Sequence, residues 1–219
     1  VDLGCGAGNV TRLLHTRWPD AAVTGVDNSP EMLARAQQAL PSARFECVAV
    51  EAWQPEGPVD LVFSNAALHW VGEHAQLFPR LMTTLADGGV LAVQMPGNFE
   101  APSHRLIREL AALPRWAGRV GSGRMGAVLK MGDYHRLIAP RVGRLALWET
   151  TFWQAMKGPS PVRDWLQGTT LVPYLAPMAA AEQSAFLEEL DHLLQEAYPA
   201  DSCGITLFPF RRIFIVAQR

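Results

Sequence analysis

The opening residues, VDLGCGAG, place Gly4, Gly6 and Gly8 at alternate positions with Asp2 two residues ahead of the first. In an open α/β sheet, ligands bind outside the carboxyl ends of the strands, and the first strand-to-helix turn lies there. Dinucleotide-binding loops read G-x-G-x-x-G, which brings a pyrophosphate onto the helix N-terminus. This loop reads G-x-G-x-G instead, with Asn9 where the third glycine of that pattern would stand. A carboxylate at the loop entrance disfavours a pyrophosphate and suits a cation. Asp27, about 20 residues past the loop, stands where an acid accepts hydrogen bonds from ribose hydroxyls. The two acids and the loop together describe a ribosylated, cationic ligand without phosphate.

S-adenosylmethionine carries a ribose, an α-ammonium and a sulfonium, and it fits that description better than NAD does. Methyl transfer from a sulfonium is an in-line displacement, so the protein's task is alignment and exclusion of water. A carboxylate acceptor, with a reference pKa of about 4, is ionised at neutral pH and needs no general base. It needs a cationic pocket, which makes arginines more telling than a histidine. His69, in ALHW, is the candidate for a side chain facing both cofactor and acceptor; its alternative role is packing the start of the next helix. Trp70, Trp148, Trp153 and Trp165 are candidates for an active-site wall or a cation-π contact, against core packing for each. His15 and His192 fall on helical patterns, and His74, His104 and His135 carry no signal.

Elements that would hold these residues alternate along the first 95 positions, the pattern of a parallel sheet covered by helices. VDL ends a strand, VTRLLHTRW is a helix, AAVTGVD a strand, SPEMLARAQQAL a helix capped by Ser29 with Pro30 at its first position, and ARFECVA and VDLVFSN are strands. HAQLFPRLMTTLADGG (74–89) reads as a helix closed by Gly88 and Gly89, followed by the strand VLAVQM. Beyond Pro96, SHRLIRELAAL reads as a helix, RWAGRVGSGRMG (115–126) as a mobile loop, RLALWETTFWQAM as a long strand, PVRDWLQG and AAAEQSAFLEELDHLLQEAYP as helices, and RRIFIVAQ as a closing strand. The expected organisation is a Rossmann-like core over 1–150 with its first strand cut short, a helical lid over 151–206, and a final core strand over 207–219. Absence of an initiating Met predicts that residues precede Val1.

Composition narrows the function classes. The chain has 219 residues, and its 19 Lys and Arg against 21 Asp and Glu give a formal charge of -2, which offers no field for a nucleic acid or an anionic membrane. Cys5, Cys47 and Cys203 match neither a disulfide framework nor a zinc knuckle, so a reducing cytoplasm and no metal are expected. No apolar run is long enough to span a bilayer. The expected partner is a small-molecule acceptor, and the expected state is monomeric.

Through VDLGCGAG, VTGVD and VDLVFSNAALHW, the chain resembles the class I S-adenosylmethionine-dependent methyltransferases. Within them it is similar to the trans-aconitate 2-methyltransferase family, through VDLGCGAGNVTRLL, VTGVDNSPEMLARA, the WQP at Trp53 to Pro55, VLAVQMPGN and FPFRRIFIVA. The resemblance implies a mostly parallel sheet whose last strand is antiparallel. It implies that Asp2, Gly4, Cys5 and Gly6 surround the methionine moiety, that Asp27 with Asn28 holds the ribose, and that Met32 packs on the adenine. It places Asn65 beside the methionine end and the backbone of Ala49 and Val50 near the adenine edge, and Ala49 stands where an Asp for the adenine amine is expected. On the acceptor side the resemblance implies Arg212; His69, which is the catalytic candidate, Trp70 and Tyr174 complete the expected acceptor site.

The family's acceptor has three carboxylates, yet donors of its pattern are missing. Val172 stands in place of an arginine in T-L-V-P-Y-L, and Phe152, Trp153 and Gln154 stand where Tyr and His are usual. A buried carboxylate without partners is costly. The acceptor expected on that ground is a less charged one, a monocarboxylate or an apolar hydroxyl compound. Two alternatives are a methyltransferase for a hydroxyl, amine or carbon, and a non-catalytic cofactor-binding module.

Overall fold

The computed structural model describes residues 1–121 and 128–219. Its elements divide between two compact units, one of Val1–Pro96, Gly126–Glu149 and Ile213–Arg219, the other of Gly97–Met125 and Thr150–Arg212. Residues 97–121, expected with the core, therefore cluster with the second unit.

In the first unit β1 (Asp2–Leu3), α1 (Asn9–Arg17), β2 (Thr24–Asp27), α2 (Pro30–Ala39), β3 (Arg44–Cys47), β4 (Val59–Asn65), α3 (His74–Thr83) and β5 (Leu85–Pro96) alternate as the sequence patterning predicts. α2 begins as expected: the Ser29 hydroxyl accepts the Met32 amide at 3.3 Å, Pro30 opens the helix, and Glu31 lies in its first turn. The second unit contributes α4 (Pro102–Ala111), and the first adds α5 (Met131–Ile138), which the sequence reading lacked. Then come β6 (Arg144–Lys157), α6 (Pro161–Gln167), α7 (Val172–Leu175), α8 (Ala180–Ala197) and β7 (Ile205–Gln218), the two strands each running through both units. Of the predicted loop at 115–126, residues 122–126 lie outside the described residues, and Trp116 is buried.

The seven strands order as β3-β2-β1-β4-β5-β7-β6. β1 pairs in parallel with β2 and β4, β2 with β3, and β4 with β5. β7 runs antiparallel to β5: the Gly88 amide meets the Arg219 carbonyl at 3.2 Å while the Gly97 amide meets that of Arg211 at 2.9 Å, so residue numbers fall along one strand as they rise along the other. The result is a parallel α/β sheet with antiparallel last strands. The chain reverses its strand order beside β1, so the carboxyl ends of β1 and β4 meet there and form the crevice that such sheets use for ligands.

One predicted boundary is corrected. α3 stops at Thr83, and the residues read as its glycine-closed end belong to β5. Val59 pairs with Leu85 and Leu61 with Val90, so β5 spends five residues against two of β4. The excess bulges out at Gly88, φ +77°, a turn geometry that glycine takes without strain.

The first unit's core is built from Leu3, Val26, Val62, Phe78, Leu91 and Ile215, and the second unit's from Ile107, Leu166, Phe186, Leu190 and Phe208. Trp165 meets the rings of Phe208 and Phe210 at 5.2 and 5.1 Å, and Trp148 stacks on Phe214 at 4.9 Å, so both pack on neighbouring aromatic rings. Among the described residues no helix is long and apolar enough to cross a membrane.

Candidate active site

The glycine loop leaves β1 under tight control. Gly4 and Cys5 donate their amides to the Val26 carbonyl at 2.7 and 3.0 Å, and Gly4, Gly6 and Gly8 all take left-handed φ, +73°, +53° and +78°. A Cβ on Gly4 would stand 2.2 Å from the Cβ of Ala67, so the loop is packed directly on the segment that follows β4. A Cβ on Gly6 would meet nothing within 4 Å, which leaves open space beside the loop's middle.

Asp27 ties this loop to the next helix. Its Oδ2 accepts the Gly6 amide and its Oδ1 accepts the Ser29 amide, both at 2.9 Å. A carboxylate has about four acceptor sites, so roughly two remain for hydroxyl donors. The half-buried side chain at the carboxyl end of β2 thus fits a vicinal diol, the arrangement required for a ribose. Asn28 beside it is exposed, and Met32, on the first turn of α2, is exposed as a platform for a flat ring would be.

Asp2 sits differently from a residue on an open face. Its side chain is only 1% exposed, and Oδ2 accepts the Thr11 hydroxyl at 2.7 Å. Burial pushes its pKa up, opposed by the Thr11 hydrogen bond. Asp2 therefore anchors α1 from behind the loop. The Cys5 thiol is pushed up to about 12, first by burial and then by Asp2 and Asp27, which rules it out as a thiolate nucleophile at neutral pH.

After β3, the Ala49 carbonyl accepts the amides of Ala52 and Trp53 at 3.0 and 2.9 Å. Arg80 of α3 donates to the carbonyls of Val50 and Trp53, both at 2.6 Å. The turn at the expected adenine edge is rigid although it lacks the acid expected at Ala49. Nothing in the sequence pattern marked Arg80, because a helix arginine reads as solvated surface.

Asn65 ends β4, exposed and in register with Gln94 of β5. The chain then turns through Ala66 and Ala67 into a 3-10 turn, Leu68–Trp70. His69 is 6% exposed with its ring 4.6 Å from that of Trp70, which is half exposed. The structure thus brings Gly4, Gly6, Asp27, Asn65 and His69 to strand ends and turns of one unit, with Gly6 hydrogen-bonded to Asp27 and Gly4 packed against Ala67.

Tyr174 and Arg212 belong to the second unit. Tyr174 is buried, its hydroxyl pKa pushed up by burial and drawn back by Arg108. The Arg212 guanidinium lies 4.9 Å over the Phe210 ring. The same unit holds a polar cluster that sequence reasoning missed. His104 Nδ1 is 3.1 Å from the Ser103 hydroxyl and its Nε2 is 3.4 Å from that of Thr170. Helical i,i+4 spacing sets Arg108 on the same face. That spacing is the one signal the sequence carried for it.

Burial, and then the Arg108 charge, depress His104 to about 4. A depressed folded pKa contributes stability that is present above about 6.5 and is lost as pH falls toward about 4. The expected loss across that window is roughly 3 kcal/mol. Urea unfolding at pH 7 and pH 4 measures it, and His104→Gln is expected to flatten the difference; an unchanged slope would remove His104 as its source.

Among the described residues no group of three or more His, Cys, Asp or Glu is arranged to hold a metal ion. The methyltransferase domain family matches residues 1–89. The chain is 47% identical over 220 residues to the trans-aconitate 2-methyltransferase of Azoarcus sp. (strain BH72), covering 100% of this chain and 86% of that one. It is 44% identical over 219 residues to the enzyme of the same name from Yersinia pestis (strain Pestoides F), covering 99% and 85%. Its fold is similar to that of YcgJ from Bacillus subtilis, with a TM-score of 0.63 at 17% identity over 100% of this chain and 90% of that one. The fold is also similar to that of Haemonchus contortus phosphoethanolamine N-methyltransferase 2 in complex with S-adenosyl-L-methionine, with a TM-score of 0.53 at 17% identity over 99% and 47%. A glycine loop without a pyrophosphate pattern and relatives of this identity agree: the chain belongs to the trans-aconitate 2-methyltransferase family and is an S-adenosylmethionine-dependent methyltransferase.

Proposed function

We propose that this methyltransferase esterifies a carboxylate of a small, multiply charged organic acid of the trans-aconitate type. The observation that carries this reading is identity of 44–47% along the whole chain with enzymes of that name. Bound S-adenosylmethionine supplies the electrophilic methyl group. The chain's own part is to hold the ribose at Asp27, to shape the methionine end with Gly4, Gly6 and Asn65, and to keep His69 and Trp70 beside the acceptor. Asp2 favours the cationic ligand through its field, Met32 carries the adenine, and the Ala49 and Val50 turn borders it.

The physical case for a less charged acceptor weakens on exposure. Val172 is 55% exposed, Phe152 48% and Trp153 65%, so a carboxylate near them keeps its water and avoids the desolvation cost that the argument required. Arg212 and Tyr174 are the proposed acceptor-orienting residues; of the segment 151–206 expected as a helical lid, residues 151–157 belong to β6 and 205–206 to β7, which leaves α6, α7 and α8 as the proposed lid. The free cysteines accord with a reducing cytoplasm, and the monomer is the proposed state.

Steady-state rates with trans-aconitate, monocarboxylic acids and phenols test the acceptor class. Trans-aconitate is expected to lead, and Arg212→Ala to lower its kcat/KM by roughly 10- to 150-fold, the scale of about 1.5–3 kcal/mol for a hydrogen bond to a charged group. A monocarboxylate preference would reinstate the less charged acceptor, and an unaffected Arg212→Ala would remove that residue from the site.

A further inference from the structure

Beneath the turn that carries His69 lies a buried chain of hydrogen bonds which the cofactor and acceptor contacts do not use. The Leu129 amide is 3.2 Å from the Tyr134 hydroxyl oxygen, that oxygen is 2.6 Å from His74 Nδ1, and His74 Nε2 is 2.8 Å from the Leu68 carbonyl. With the buried ring neutral, the Leu68 end fixes the protons along this chain. An amide only donates and a carbonyl only accepts, so Nε2 carries the hydrogen, Nδ1 accepts from the Tyr134 O–H, and that oxygen accepts from Leu129. His74 is fully buried, as is Tyr134, and burial lowers the His74 pKa, in keeping with the neutral ring that this arrangement requires.

The anchored carbonyl is half of the peptide group that joins Leu68 to His69. The turn has reason to need an anchor. Among the described residues, Ala66 at φ +54° and Glu73 at φ +51° are the non-glycine residues in the left-handed region, and they bracket Leu68–Trp70 on both sides. Side chains with a Cβ occupy that region at a cost, and they do so where surrounding contacts over-determine the backbone. One such contact is Ala67 against Gly4 of the glycine loop; the other is His74 beneath Leu68.

We propose that His74 and Tyr134 are positioning residues for methyl transfer, clamping the His69–Trp70 turn against the glycine loop so that the acceptor side is held in register with the cofactor side. The inference rests on the reading that His69 and Trp70 face the acceptor. The rings also pack, Tyr134 with Phe78 at 4.8 Å and His74 with Phe78 at 5.3 Å, so a role in the core alone is the competing explanation.

Tyr134→Phe keeps the ring and removes the hydroxyl. In the full chain, amide exchange at Trp70 and Val71, which bond to Ala67 and Leu68 at 3.0 and 2.9 Å, is expected to speed up with no cofactor or acceptor present. With S-adenosylmethionine and trans-aconitate, kcat is expected to fall about tenfold while KM for S-adenosylmethionine stays within about twofold. In a His69→Ala background the same change is expected to cost less than about twofold, because the group being positioned is gone. His74→Gln, which retains a donor for Leu68, is expected to keep more activity than His74→Ala, and it carries the comparison if Tyr134→Phe does not fold. Unchanged exchange at Trp70 and Val71, or an equal loss of kcat with and without His69, overturns the proposal and leaves the function standing. Full activity of His69→Ala overturns instead the reading on which it rests, and the proposal with it.

Discussion

Gly4→Ala is expected to cost roughly 2–5 kcal/mol of stability and to weaken S-adenosylmethionine binding at least about tenfold. Two effects add. Alanine at φ +73° bears the left-handed penalty of about 1–2 kcal/mol, and its methyl group would meet the Ala67 Cβ at 2.2 Å, so one of two backbones must move. That movement opens the contact between the glycine loop and the turn bearing His69. Gly6→Ala is the control, since φ is +53° there but a Cβ would have nothing within 4 Å. It is expected to lose only about 1–2 kcal/mol, the conformational part. Thermal unfolding of both variants with and without S-adenosylmethionine measures the difference; equal destabilisation would contradict the packing argument.

Asp27→Ala is expected to weaken S-adenosylmethionine binding by roughly 1–3 kcal/mol, about 5- to 150-fold, with little change for the acceptor. The carboxylate orders the loop through Gly6 and starts the next helix through Ser29, so its loss strands two amides as well as the ribose hydroxyls. Asp27→Asn keeps one acceptor oxygen and is expected to fall between the two. Titration calorimetry reads this directly, and undiminished affinity in Asp27→Ala would remove the residue from the cofactor site.

The parts of this account that were legible in sequence are those governed by local patterns. β4 emerges over VDLVFSN as read, because an apolar run between turn signals has few alternatives, and the Ser29-Pro30-Glu31 start of α2 is a complete helix signal within three residues. The end of α3 was misread because glycine closes helices and also permits bulges, and the choice here lies with pairing partners in β4 and β7. The candidate site divides in the same way. The loop and Asp27 are local signals, whereas the His74–Tyr134 bond joins residues 60 positions apart and depends on folding alone. Asp2 was legible as an acid at the loop but not as a buried one, since its burial comes from Thr11 and the neighbouring strands. Exposure at Val172, Phe152 and Trp153 likewise had no marker in residue type, which is why their apolar character was read as pocket wall.

The central claim is ester formation on a carboxylate, and the chemical lability of the product tests it most directly. Carboxyl methyl esters release methanol in mild alkali, whereas methyl ethers, amines and carbon-bound methyl groups do not. With methyl-labelled S-adenosylmethionine and trans-aconitate, the account predicts label in the acid that becomes volatile on brief alkaline treatment and is lowered about 5- to 150-fold with Asp27→Ala at limiting cofactor. Label that survives alkali, or transfer to phenols and amines in preference to the acid, would contradict it.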